Sequence, residues 1–263
     1  MCIISYPVLL VNSTNIFVGP NKNYTRQITV YSNKVHNTKT DNAMILPVPY
    51  ASTVQLFDLS KYPNFFKDID NCFSAPRSKG ASINFKLDVV SVGSYLASVA
   101  NNYRDLLNID TSVFNLSDDC AKMLKMYPSH YGFIVCKLAN ENKEYHPFAY
   151  SHRIEKKLFI PTKHYHSGSH EKEIEFFDHN IFTWKSEINL QSNNSVVINK
   201  FKNLKMPPEF ELSNLDIIQK NIFETPCEII EDFHKYRIRG HLPNKDFYAT
   251  YKQPTTKNSC IIM

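Results

Sequence analysis

Three sets of side chains carry types and spacings that could do chemistry. The last four residues, Cys260-Ile261-Ile262-Met263, match a C-a-a-X box, whose cysteine thiol is alkylated by an isoprenoid; a terminal Met favours farnesyl over geranylgeranyl transfer. The polar stretch 253–259 before it gives a farnesyltransferase something to grip. Cys2 is the second candidate. Loss of the initiator Met would leave a cysteine whose own α-amine serves as base for its thiol, the arrangement of an N-terminal nucleophile hydrolase. The third is a histidine-rich stretch, 145–184, that holds His146, His152, His164, His166, His170 and His179. His164 and His166 are two residues apart, so on a strand both project from one face, a spacing that suits Zn with a third ligand from His152, His170, Asp178 or His179.

Each set has a plainer reading. A C-terminal Ile-Ile-Met is also simply an apolar end, Cys2 a buried thiol, and the histidines solvated loop residues beside Tyr165 and Phe177. If the lipid is added, burial is worth about 0.8 kcal/mol per CH₂, and one chain anchors only marginally. A second signal is then required. From Lys235 onward there are six basic residues, Lys235, Arg237, Arg239, Lys245, Lys252 and Lys257, against one acid, Asp246. Each that faces an anionic leaflet contributes roughly 1 kcal/mol.

Composition narrows the remaining classes. A net charge of +5 from 30 basic and 25 acidic residues is too mild, without an arginine-rich stripe, to argue for nucleic acid as a partner. The six cysteines stand singly, with no C-x-x-C pair, which fits reduced thiols in cytosol. There is no signal-peptide pattern around the apolar run 3–11, no ~20-residue membrane span, and neither G-x-x-x-x-G-K-[ST] nor G-x-G-x-x-G. No carboxylate pair has glycosidase spacing, with Asp68 and Asp70 read as solvated, and no cofactor is implied.

The elements that must position these residues are organised around 42–49, Asn-Ala-Met-Ile-Leu-Pro-Val-Pro. Four successive apolar residues stopped by proline predict a buried strand in the middle of the core sheet, and Leu158-Phe159-Ile160-Pro161 repeats the design. Residues 2–50 read as antiparallel β-structure, with strands over 3–11, 15–18 and 26–33. A strand over 54–59 leads to a helix with Pro63 in its first turn and Phe65, Phe66, Ile69 and Phe73 on one face. Residues 74–81 read as a mobile flap, 83–92 as a strand, and 95–101 as a short helix or turn. A helix starts at Ser117, strands follow over 131–138, 176–184 and 196–198, and a second helix is predicted over 212–223. Gly240-His241-Leu242-Pro243-Asn244 reads as a turn, and 251–263 as a flexible tail.

The order of Ile16-Phe17-Val18, Gln27-Ile28-Thr29-Val30-Tyr31, Ile45-Leu46-Pro47-Val48-Pro49, Tyr131-Gly132-Phe133-Ile134-Val135, His146-Pro147-Phe148 and Phe159-Ile160-Pro161 resembles a bacterial domain family of unknown function with an early cysteine and a W-V-L-P-V-P-like core strand. The resemblance covers roughly residues 2–165 and implies one fold unit. This chain lacks that pattern's second early cysteine and its secretory signal, and the family carries no activity to transfer.

The sequence thus predicts a single α+β domain over 1–250, a largely antiparallel sheet with several short helices, followed by a lipidatable tail. The expected role is a cytosolic binding or scaffolding protein held reversibly at membranes by farnesylation of Cys260. The competing class is an enzyme, either a Cys2 hydrolase or a metal hydrolase on His164 and His166.

Overall fold

A computed structural model describes residues 3–251 apart from 22, 38, 40–41, 60–61, 74–96, 109–114, 139–141, 145, 155, 167, 169–171, 191–195 and 206–228. The proline-stopped run does form a strand, β4 (Ala43–Pro49), with all seven residues buried. It lies inside a four-stranded antiparallel sheet, between β1 (Ile3–Ile4) and β7 (Tyr131–Lys137), with β6 (Ala97–Ala100) at the edge beyond β7. Its position is central, but in a smaller sheet than expected.

The larger sheet has eight strands. Seven run in the order β13 (Val196–Lys205), β14 (Ile229–Pro243), β11 (Ile174–Trp184), β2 (Leu10–Pro20), β3 (Arg26–His36), β9 (Phe148–Arg153) and β5 (Gln55–Asp58). The eighth, β8 (Asn142–Glu144), also pairs with β3. All its pairings are antiparallel except that of β11 with β2. A third sheet joins β10 (Leu158–Ile160), β15 (Phe247–Tyr251) and β12 (Ser186–Ile188). Leu158–Ile160 therefore belongs to a different sheet from β4, although both strands end at a proline.

Strand alternation sorts the core into layers. Ile16, Val18, Tyr31, Phe177, Ile181, Tyr236 and Ile238 on the inner face of the large sheet pack with Met44, Leu46 and Ile134 of the four-stranded sheet and with Leu158, Ile160 and Ala249 of the three-stranded one. The outer face presents Phe17, Val30, Phe182, Trp184 and Phe233. Helix α1 (Phe65–Cys72) covers these with Phe65, Phe66 and Ile69, the face predicted from their spacing. On the far side of the four-stranded sheet, α2 (Tyr103–Leu107) and α3 (Asp118–Lys125) bury Leu106, Cys120, Met123 and Leu124 against Ile45, Phe133 and Val135. Ser117 caps α3 by accepting from the Cys120 amide at 3.3 Å.

The molecule is thus mostly β, with largely antiparallel sheets and few short helices. Several expectations are corrected. The stretch 3–18 does not divide into strands 3–11 and 15–18: β1 is two residues long and Pro7 follows it, and β2 then runs from Leu10 to Pro20 with a register shift between Asn12 and Asn15. Residues 97–100 form strand rather than helix because their amides pair with β7. Gly240 lies within β14 at φ 117, opposite Phe177, a conformation only glycine adopts cheaply; the chain reverses after Pro243 instead. Asp68 and Asp70 are not simply solvated. Asp68 accepts from the Tyr62 hydroxyl at 2.7 Å, and Asp70 pairs with Lys235 of β14, tying α1 to the sheet. Tyr251, expected to open the tail 251–263, instead closes β15; the rest of that tail, the expected flap 74–81, strand 83–92 and helix 212–223 lie outside the described residues.

Candidate functional site

Among the described residues, His164 and His166 lie where the N-terminal strand meets the histidine-rich stretch. Asn42, just before β4, fixes the chain entering from the N-terminus: its Oδ1 accepts from Ser5 Oγ (2.8 Å), Tyr6 N (3.0 Å) and its neighbour Ala43 N (3.0 Å), and its Nδ2 donates to the Tyr6 carbonyl (3.1 Å). Ile3 forms a parallel bridge to Tyr165, and the Ile4 amide donates to the Tyr165 carbonyl at 2.7 Å. The N-terminal strand is therefore held between β4 and the residue that separates His164 from His166. Cys2 itself, like Cys260, lies outside the described residues.

The histidine stretch is fixed from its other side by the turn between β14 and β15. Asn244 Oδ1 accepts from the His164 amide (2.7 Å), and its Nδ2 donates to the carbonyls of His164 (2.9 Å) and Lys172 (3.1 Å). Asp246 accepts from the amides of Thr162 (2.8 Å) and Lys163 (2.9 Å) and from the Tyr127 hydroxyl (2.7 Å). Burial raises the Asp246 pKa, and these three donors oppose the rise.

His164 is buried, tilted against Phe177 at 4.2 Å between ring centroids and stacked on His179 at 5.2 Å, with His166 at 5.9 Å. Among the described residues neither ring nitrogen of His164 has a hydrogen-bond partner, and burial pushes its pKa far below the ordinary histidine value. It stands neutral, and its conjugate acid is strongly disfavoured. A Cys–His pair of the ion-pair kind needs that acid, so His164 is a poor partner for activating a thiol. Cys136, the other cysteine considered beside it, is buried in β7 opposite Met44 and Ala97.

The proposed zinc ligands are brought together only in part. His164, His166 and His179 share one region, whereas Asp178 points to the opposite face of β11 and pairs with Arg239 at 2.9 Å. His152 sits on β9 with Nδ1 bonded to the Arg153 carbonyl at 2.8 Å, and burial lowers its pKa to about 4. His170 lies outside the described residues. Among the described residues no three His, Cys, Asp or Glu side chains are arranged to hold a metal ion. Asn42, Asn244 and Asp246 are what sequence reading missed. The one available signal was a polar residue set directly against a strand end, Asn42 before Ala43, Asn244 after Pro243 and Asp246 before Phe247, where a buried polar group must find partners.

No protein-family model matches the chain. Among solved structures, it is similar to baculovirus P35 over 96% of its own length and 100% of that chain, at 11% identity and a TM-score of 0.55. Also similar are a mutated baculovirus P35 after caspase cleavage (13% identity, 91% and 99% of the two chains, TM-score 0.47) and P35 in a caspase-8 complex (12%, 92% and 97%, TM-score 0.43). At these identities the likeness is one of fold.

Proposed function

We propose that this chain is one folding unit of α+β type that acts by binding a protein partner, and that the partner is a caspase-class cysteine protease. The observation that carries this reading is the extent of the fold likeness to P35, which takes in nearly the whole of both chains. P35 is a protein that has been solved after caspase cleavage and in complex with caspase-8. A chain that stays with the protease that cuts it keeps that protease from other substrates.

Caspases cut after aspartate and must draw the substrate out as an extended strand, which disfavours aspartates held within strands and helices. The test is to titrate active caspase-8 with the purified chain while following hydrolysis of a peptide substrate. Loss of activity near equimolar chain, with one cut after an aspartate, is the expected result. Full activity in the presence of a large excess of chain sinks the proposal.

A second reading, compatible with the first, is farnesylation of Cys260 and a reversible membrane tether. It is favoured by the complete C-a-a-X match and by the end of β15 at Tyr251, after which eight residues, able to span at most about 30 Å, precede the cysteine. Intact mass of protein made in a eukaryotic cell, beside Cys260→Ser, tests it. A farnesyl gain with loss of three residues, absent in the variant, is expected; an unmodified C-terminus removes the tether.

A further inference from the structure

The observations outside that site that lead furthest concern one continuous set of aromatic and basic side chains. Tyr131, at the start of β7, packs against Tyr127 (5.6 Å between centroids), His130 (4.9 Å) and Phe159 of β10 (5.3 Å), and Phe159 packs against Tyr248 of β15 (5.6 Å). His130 packs against Tyr50 at 5.4 Å. The outermost parts are open to solvent: His130 and Arg153 are exposed, Tyr248 is 46% exposed, and Tyr50, Tyr127 and Lys163 are half-buried. Tyr50 sits at φ 54, ψ 48, a left-handed conformation that costs a non-glycine residue of order 1 kcal/mol.

Two cations lie over these rings, Arg153 over Tyr50 at 5.7 Å and Lys163 over Tyr127 at 5.8 Å. The carboxylate beside them, Asp246, is turned inward, with its oxygens taken by Tyr127 and the amides of Thr162 and Lys163. The hydroxyls of Tyr131 and Tyr248 are bonded to each other at 3.0 Å. Either phenol can donate; with the buried Tyr131 as donor, the O–H of the exposed Tyr248 is left for an outside acceptor. Tyrosine and arginine anchors over an apolar base are the composition of interface hot spots.

We propose that this face binds an acidic, extended segment of a protein partner, whose carboxylates meet Arg153, Lys163 and the outward phenol while its backbone lies across Tyr248 and His130. Charge complementarity selects this occupant over single-stranded nucleic acid. Base stacking needs open ring faces, and here the faces of Tyr50 and Tyr127 already carry cations. The surface is separate from the protease reading and stands or falls without it.

Hexaglutamate, hexalysine and a thymidine hexanucleotide, each titrated into the full chain at low salt and followed by NMR, test the assignment. Saturable hexaglutamate shifts confined to Tyr50, Tyr127, His130, Arg153, Lys163 and Tyr248 are expected, weakened by added salt and absent with hexalysine. The Arg153→Gln/Lys163→Gln variant should raise the apparent Kd about tenfold. Tyr248→Ser, on an exposed side chain, should weaken binding independently. Absence of hexaglutamate binding, equal affinity in all variants, or tighter binding of the hexanucleotide would overturn the proposal.

Discussion

Asn244 shows how much of this fold rests on single polar side chains. Its amide group makes three hydrogen bonds to the backbone of His164 and Lys172, and it is largely buried. Asn244→Ala leaves buried amide and carbonyl groups without partners and should cost about 3 kcal/mol, read from the denaturant midpoint. Asn244→Asp keeps the acceptor for the His164 amide and loses both donations. The buried histidines add a pH dependence whose sign follows from their depressed pKa values. The unfolded chain protonates His152 near 6.5, whereas the folded one resists until about 4. The stability lost by protonating the unfolded state is therefore absent above pH 6.5 and grows as pH falls toward 4, reaching about 3 kcal/mol. His164 acts in the same direction. Urea midpoints measured from pH 7.5 to 5 should fall steadily, and His152→Gln should flatten the fall.

At the scale of elements, the close contacts between β7, β6 and the 3₁₀ turn Ala51–Thr53 set the edge of the four-stranded sheet. A Cβ on Gly132 would stand 2.2 Å from the Ala100 carbonyl oxygen, 2.3 Å from Ala51 Cβ and 2.7 Å from the Asn101 carbonyl carbon. Two of those atoms are backbone and cannot swing away. Gly132→Ala should cost about 3 kcal/mol, at the upper end for overpacking, and should speed hydrogen exchange in β6 more than in β4. The strands most legible in sequence were those with a clear apolar run, β4 with its proline stop and β7, and the helix whose phenylalanines repeat at three and four. β14 was not legible. Its charged and apolar residues alternate, but Gly240 within it imitates a turn, and its strand character comes from pairing with β11 and β13 on either side. The Asn42 and Asn244 clamps were likewise invisible, because they join residues 36 to 80 positions apart. Spacing singled out His164 and His166; the burial that lowers the pKa of both comes from packing against distant elements and has no counterpart in spacing.

At the scale of the molecule, α1, the eight-stranded sheet, the two smaller sheets and α2 with α3 are layered in a chain whose fold is similar to that of baculovirus P35 over 96% of its length. Binding of a caspase-class protease is the central claim built on it, and the most direct measurement is the intact mass of the chain after incubation with active caspase-8, taken under native and denaturing conditions. The account predicts two fragments that sum to the full chain plus one water, separated after an aspartate, and under native conditions a species containing protease and both fragments. An uncut chain with no protease-bound species, at concentrations where caspase-8 cleaves a peptide substrate freely, would contradict it.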